Sequence, residues 1–410
     1  MSEIMLINVS GQDKPGLTYT LMDILSAYDI GILDIGQAVI HNTVSVGVLV
    51  DVPETEAQSP VLKDVLFHLH EQGMHVRFTP VSEEEYQRWV EGEADSGYVF
   101  TLLGRRITAE QIAQVTRVIS DNGLNIEDIV RLSRREPLYK AEGFGRACIE
   151  LTVRGKPLDL DAMKERFLDI SQELDVDISF QADTVHRRNR RLVVFDMDST
   201  LIQQEVIDEL ARKAGVGDEV SGVTEAAMRG ELDFSQSLRQ RVALLEGLDA
   251  SVLEEVASEL TMTEGAERLI RTLRSFGFKT AIVSGGFSYF GRRLQEKLGV
   301  DYVYANELAI TDGQLTGDVE GRIVDGQRKA ELLQEIAQSE GLSLDQVVAV
   351  GDGANDLPML RLAGLGVAFR AKPLVKRSAR QSLSAVGLDG ILYMIGIRDA
   401  DAEASQEGSA

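Results

Sequence analysis

Three short segments place carboxylates, a hydroxyl and glycines in patterns that phosphoryl chemistry could use. Asp196-Met197-Asp198-Ser199-Thr200 directly follows the apolar run Leu192–Phe195. Two carboxylates two residues apart project to the same side while the chain stays extended. An acidic turn with a capping Ser or Thr is the other reading of such a pair. Residues 280–283, also apolar, run into Ser284-Gly285-Gly286, and residues 347–350 run into Gly351-Asp352-Gly353-Ala354-Asn355-Asp356. Glycine lets backbone approach a ligand, and N–H groups at a helix start suit an anion. Ser-Gly-Gly alone reads equally as a turn. Asp352 and Asp356 are hard oxygen donors of the kind Mg²⁺ prefers, and two acids beside two glycines make a poor turn without a cation. A nucleophilic carboxylate, a second carboxylate, an anion cradle and a metal ligand at one sheet edge together point to Mg²⁺-dependent phosphoryl transfer through an acyl phosphate.

The residues missing from this region narrow the chemistry further. The five histidines are His41, His68, His70, His75 and His186, and the one cysteine is Cys148. From Arg187 onward there is neither His nor Cys, which excludes a Ser-His dyad, a Cys nucleophile, a phosphohistidine and a His-ligated zinc. A single cysteine also excludes an intramolecular disulfide. Of 410 residues 44% are hydrophobic and 26% charged, the balance of a globular chain with two to three domains. Lys and Arg number 42 against 66 Asp and Glu, a net charge of 42 − 66 = −24. That charge disfavours nucleic acid and anionic membranes as partners. No apolar run nears the roughly 18 residues of a membrane helix, and the N-terminus lacks the features of a signal peptide. The expected location is cytoplasmic.

The elements that must position these residues can be read from pattern. From residue 192, apolar strands alternate with long helices, the signature of a parallel sheet covered on both faces. Strand ends in such sheets are where ligands bind. A helical, Glu/Leu/Arg/Ala-rich stretch at about 206–260 reads as a cap inserted over that edge. The first 182 residues repeat: residues 25–35 align with residues 119–129 at an offset of 119 − 25 = 94. Each copy reads β-α-β-β-α-β, a ferredoxin-like order. The expected boundaries are 1–82 and 97–182 for the two copies, joined by a linker at 83–97, then 187–398 for the sheet with its cap. Residues 399–410 read as a disordered tail, and Arg187-Arg188-Asn189-Arg190-Arg191 as a solvated connector.

Residues 192–398 resemble the haloacid dehalogenase superfamily, and within it the phosphoserine phosphatases. Asp196-x-Asp198-Ser199-Thr200 matches the first motif of that family, Ser284-Gly285-Gly286 the second and Gly351 to Asp356 the fourth. Residue type alone does not separate Lys329 from its neighbour Arg328; the resemblance selects Lys329 as the third motif. It implies a Rossmann-like parallel sheet with a helical cap, and hydrolysis of O-phospho-L-serine to L-serine and phosphate, the last step of serine biosynthesis. Asp196 would be the nucleophile and Asp198 the acid and base. Ser284, Gly285 and Lys329 would hold the phosphoryl oxygens, with Asn355 and Asp356 steadying them. Mg²⁺ would lie on Asp196, the Asp198 carbonyl and Asp352. Glu205 and Arg241 match the residues that read the ammonium and carboxylate of the substrate, and Met228 and Phe234 the apolar cap wall. The N-terminal repeat resembles tandem ACT domains, α+β sensors of amino acids. Asp13 and Gly16, in Gly11-Gln12-Asp13-Lys14-Pro15-Gly16-Leu17, are the implied contacts for L-serine or another amino acid; a Pro-Gly turn with an Asp cap explains them equally well. The second copy has Arg105-Arg106-Ile107-Thr108-Ala109-Glu110 there instead, which points to pairing or assembly. A homodimer is expected. The alternatives are a phosphatase of another phosphomonoester or of phosphoproteins, and a non-catalytic amino-acid-sensing protein.

Overall fold

The computed structural model describes residues 3–53, 60–92, 97–135 and 145–407. Its first unit, within residues 1–95, is built on a four-stranded antiparallel sheet. The strands are β1 (Glu3–Gln12), β2 (Gly31–Ile40), β3 (Thr43–Val52) and β4 (His75–Val81), in the order β2-β3-β1-β4. Every second residue of β3 points inward, so Val46, Val48 and Val50 meet Leu21, Leu25, Val65 and Leu69 from the helices Leu17–Ser26 and Pro60–Glu71. Strand β2 lies at the sheet edge and is exposed along its whole length, Ile32, Ile35, Val39 and Ile40 included. Residues 83–97, read from sequence as a linker, contain the helix Glu83–Gly92. The Ser82 hydroxyl accepts from the Glu85 N–H while the Glu85 carboxylate accepts from the Ser82 N–H, a reciprocal cap that starts it.

The second unit, within residues 96–410, opens with another four-stranded sheet. It comprises β5 (Gly97–Gly104), β6 (Asn125–Arg131), β7 (Ala147–Arg154) and β8 (Asp177–Ala182), ordered β6-β7-β5-β8. It carries the helices Ala109–Asp121, capped by Thr108 and Gln111, and Leu160–Leu174, capped by Asp159. The larger sheet comes next: β9 (Leu192–Phe195), β10 (Lys279–Phe287), β11 (Tyr302–Thr311), β12 (Gln314–Glu320), β13 (Val347–Gly351), β14 (Leu365–Phe369) and β15 (Gln381–Leu383). Its order is β12-β11-β10-β9-β13-β14-β15, parallel except for β12. Strand β9 is therefore central, and Leu192, Val193, Val194 and Phe195 are wholly buried, as a strand covered on both faces requires. Between β9 and β10 come the helices Val206–Ala214, Gly217–Met228, Phe234–Ala243 and Val252–Glu259.

Specific polar contacts join the β5–β8 sheet to the larger one. The Asp177 carboxylate accepts from the Ser384 and Ala385 N–H groups at 2.8 and 2.7 Å, and the Gln381 side chain pairs with the main chain of Phe180. Arg105 makes a bidentate pair with Glu264 at 2.6 and 2.7 Å. Two expectations fail here for the same reason. Residues 399–407 are helical rather than disordered: Asp399 is buried and accepts from Arg268, the Tyr393 hydroxyl and the Arg134 N–H. Residues 187–191 are not a solvated connector, since Arg187 is paired with Glu150 and Arg190 is only 5% exposed. In both cases most of the partners lie far away in sequence, where local composition carries no trace of them.

Candidate active site

Strand β9 pairs with β10 on one side and β13 on the other, so the turns at the ends of these three strands converge at one edge. The chain is held there by the Asp196 N–H, which donates to the Val350 carbonyl at 2.8 Å. It then turns sharply through Met197–Leu201, with Ser199 in the left-handed region at φ 53°. This turn keeps Asp196 and Asp198 at the mouth of a cavity of about 140 Å³. Glu205, Phe234, Arg241, Ser284, Gly285, Asp352 and Asn355 also line it. A cavity of that size is smaller than a typical drug-sized pocket, so it suits a small substrate better than a peptide.

Two glycines are required by close approach. A Cβ at Gly286 would lie 2.3 Å from Asp198 Oδ2, and one at Gly351 would lie 2.4 Å from Asp356 Oδ2. The Ser284 hydroxyl accepts from the Gly286 N–H at 2.9 Å, which fixes the irregular Ser-Gly-Gly end of β10 from within. Asn306 fixes it from outside, donating to the Gly285 carbonyl and accepting from the Val324 N–H, each at 2.8 Å. Sequence reading misses Asn306; its only signal is a buried polar residue in a strand. It also misses Ile207, Leu238 and Phe287, which add apolar wall. Phe234 packs over Gly285, since a Cβ there would lie 2.6 Å from the ring. The Met228 side chain lies outside the described residues.

Lys329, on the helix Gly326–Ser339, is fully buried, whereas its neighbour Arg328 faces Glu331 and Glu335. The Lys329 ammonium reaches Asp196 Oδ2 at 2.9 Å and Asp356 Oδ1 at 2.6 Å. Burial alone would lower its pKa, but the two carboxylates outweigh that and hold it above its usual value. The other Asp356 oxygen accepts from the Gly353 N–H at 2.9 Å.

Negative charge dominates the rest of the site. Asp196, Asp198, Glu205, Asp352 and Asp356 are five carboxylates against two cations, Lys329 and Arg241. Burial, then the charges of Asp196 and Asp356, push Asp352 up to about 8. Burial and the charge of Asp196 push Asp356 up to about 7, with Lys329 pulling the other way. Asp198 is driven well above the carboxylate range by burial and then by Glu205 and Asp196, so it is suited to donate a proton. Oxygens of Asp196, Asp352 and Asp356 come within 4.8 Å of one another. Such an excess of hard oxygen donors fits a divalent cation. Glu205 accepts from the Ser199 hydroxyl at 2.7 Å, and burial raises its pKa. Arg241 donates only to the Ser237 carbonyl, at 3.4 Å, and makes no ion pair among the described residues. Its guanidinium is free to meet an anionic group of a ligand. In the first unit, Asp13 is exposed and Gly16 sits at φ 92° at the start of the helix Leu17–Ser26.

Comparisons with known proteins identify the family. Residues 193–361 match the haloacid dehalogenase-like hydrolase family, and residues 3–79 and 96–181 each match an ACT domain. A phosphoserine phosphatase of Streptomyces coelicolor is 42% identical over 404 residues, 98% of this chain and 94% of the other. A phosphoserine phosphatase of Mycobacterium tuberculosis is 40% identical over 98% of this chain and 95% of its own. The crystal structure of a probable phosphoserine phosphatase from Vibrio cholerae matches with TM-score 0.58 and 36% identity, covering 77% of this chain and 90% of that one.

Proposed function

The chain belongs to the ACT-containing phosphoserine phosphatases of the haloacid dehalogenase-like hydrolases, and on that premise we propose that it hydrolyses O-phospho-L-serine through a phosphoaspartate on Asp196. The observation that carries the reading is the buried Lys329–Asp196 contact, which holds in place a carboxylate that lines one cavity with the Ser-Gly-Gly segment. An Asp196 oxygen attacks phosphorus as the bond to the serine oxygen breaks. Asp198, whose pKa is raised by burial and by Glu205 and Asp196, gives that oxygen its proton and L-serine leaves. Water then attacks phosphorus while Asp198 takes its proton, the bond to Asp196 breaks and phosphate departs. Ser284, the Gly285 N–H and Lys329 face the charge that spreads over the phosphoryl oxygens, with Asn355 beside them. Asp196, Asp352 and the Asp198 carbonyl would hold Mg²⁺, whose charge would offset the carboxylate excess. Asp356 positions Lys329, because both its oxygens are already engaged.

Arg241 and Glu205 support a free amino acid as substrate, since they would pair with a carboxylate and an ammonium that a phosphopeptide lacks. Phosphate release from L-phosphoserine is expected to exceed release from a phosphoserine peptide and from p-nitrophenyl phosphate, to cease on chelation and to return with Mg²⁺. Arg241→Gln should cut kcat/KM for phosphoserine by about 10–100-fold while sparing p-nitrophenyl phosphate. Equal losses on both substrates would remove Arg241 from substrate reading.

We propose two further features of the first unit. Its exposed β2 edge, with five large aliphatic residues in the open, is suited to being covered by a second copy; light scattering showing a monomer would refute this. L-Serine or a related amino acid would sit at the turn formed by Asp13 and Gly16. A rise in melting temperature with L-serine is expected for the native chain and not for Asp13→Ala; an equal rise in both would exclude that site.

A further inference from the structure

Arg190 is a buried cation with no ion-pair partner among the described residues, and it lines an open cleft. It lies where the connector passes between the β5–β8 sheet and the larger one. Its neighbour Arg187 is neutralised by Glu150. Arg190 is not: Nη1 donates to the Asp345 carbonyl at 3.2 Å, Nη2 donates to Gln181 Oε1 at 2.9 Å, and Nε has no partner. Among the described residues no carboxylate stands within ion-pair distance of it. Burial first, and then the charges of Arg187 and Arg380, lower its pKa to about 10, with Asp345 pulling the other way. A desolvated cation left in this state is costly, and a structure retains one where an anion completes it.

The cleft that Arg190 lines measures about 750 Å³, within the range of small-molecule sites, and shares no residue with the catalytic cavity. Lys164, Arg190, Arg377 and Arg380 line it against Asp161 and Asp345, an excess of positive charge in a chain of net charge −24. Lys164 is paired with Asp161 at 3.5 Å. Arg377 and Arg380 are exposed and make no ion pair among the described residues; Arg380 has only a 3.5 Å hydrogen bond to the Gly364 carbonyl. Tyr98 and Phe180 also line the cleft, and they stack with ring centroids 4.9 Å apart and planes 23° apart. Two exposed guanidinium groups, and a third at Arg190 hydrogen-bonded only to neutral acceptors, suit a phosphate, for which Arg is the preferred bidentate partner. A flat aromatic wall suits a planar ring.

We propose that this cleft binds a small organic phosphate bearing a flat apolar group, with Arg190, Arg377 and Arg380 on the phosphate and Tyr98 and Phe180 on the ring. Mononucleotides and pyridoxine-type phosphates share that chemistry. Calorimetric titration of the full chain with AMP and with pyridoxine 5′-phosphate separates the two, with ribose 5-phosphate and inorganic phosphate as probes that lack the ring. One ring-bearing probe is expected to bind once per chain, more tightly than either ringless one. Arg190→Gln should weaken it, and so should the double variant Arg377→Gln/Arg380→Gln, by roughly tenfold or more. Because Arg377 and Arg380 are exposed, the double variant should keep the native melting temperature and basal phosphatase activity, so its result stands even if Arg190→Gln fails to fold. Absence of binding by both ring-bearing probes overturns the proposal, as does binding no tighter than that of inorganic phosphate. Binding unchanged in the double variant also overturns it, since such a ligand would belong to the catalytic cavity.

Discussion

Asp196→Asn is expected to lower phosphoserine hydrolysis by about 10⁴-fold or more, the scale on which losing a covalent nucleophile acts. The amide is nearly isosteric but cannot attack phosphorus. Folding should survive, because the substitution removes one charge from a cluster of five carboxylates in which burial, and then mutual repulsion, already push Asp352 up to about 8. The melting temperature is therefore expected to hold or rise. Steady-state kinetics and a thermal melt on the same preparation check this. Retained turnover, or activity lost together with the fold, would remove Asp196 from the role assigned to it.

Lys329→Met should damage both stability and rate. The ammonium is wholly buried between Asp196 and Asp356, and removing it strands two carboxylates in a medium that cannot solvate them. Breaking a buried pair by deleting one partner costs about 3–5 kcal/mol, which denaturant titration would register as a lower midpoint with little change in slope. The phosphoryl oxygens also lose a fixed cation, which lowers kcat by about 10²–10³-fold under conditions where the variant stays folded. A variant as stable as the native chain would show that Lys329 does not neutralise these carboxylates.

Legibility in the sequence differs element by element. Asp196, Ser284 and Asp352 stand out because each ends a short apolar strand, and a parallel sheet brings such ends to one edge. Arg241 and Phe234 are not legible from their own helix, where charged and apolar residues alternate as on any amphipathic surface; only the family resemblance singles them out. The β11–β12 hairpin reads from sequence only as a strand at 302–304, although Asp312-Gly313, both at positive φ, mark its turn. Strand β15, three residues long, leaves no periodicity to detect. Arg190, Asp399 and Asn306 acquire their roles from partners distant in sequence, and no local pattern distinguishes such residues from their solvated equivalents. Strand ends are visible in sequence, whereas the polar contacts that brace them emerge only from the fold.

The central claim, a covalent phosphoryl group on Asp196, is tested most directly by acid-quenching the enzyme during turnover of L-phosphoserine with Mg²⁺ and mapping the modified peptide by mass spectrometry. One phosphoryl group on Asp196, released by hydroxylamine and missing in Asp196→Asn, is the expected result. A phosphoryl group on any other residue, or sustained hydrolysis with Asp196 never modified, would contradict the account.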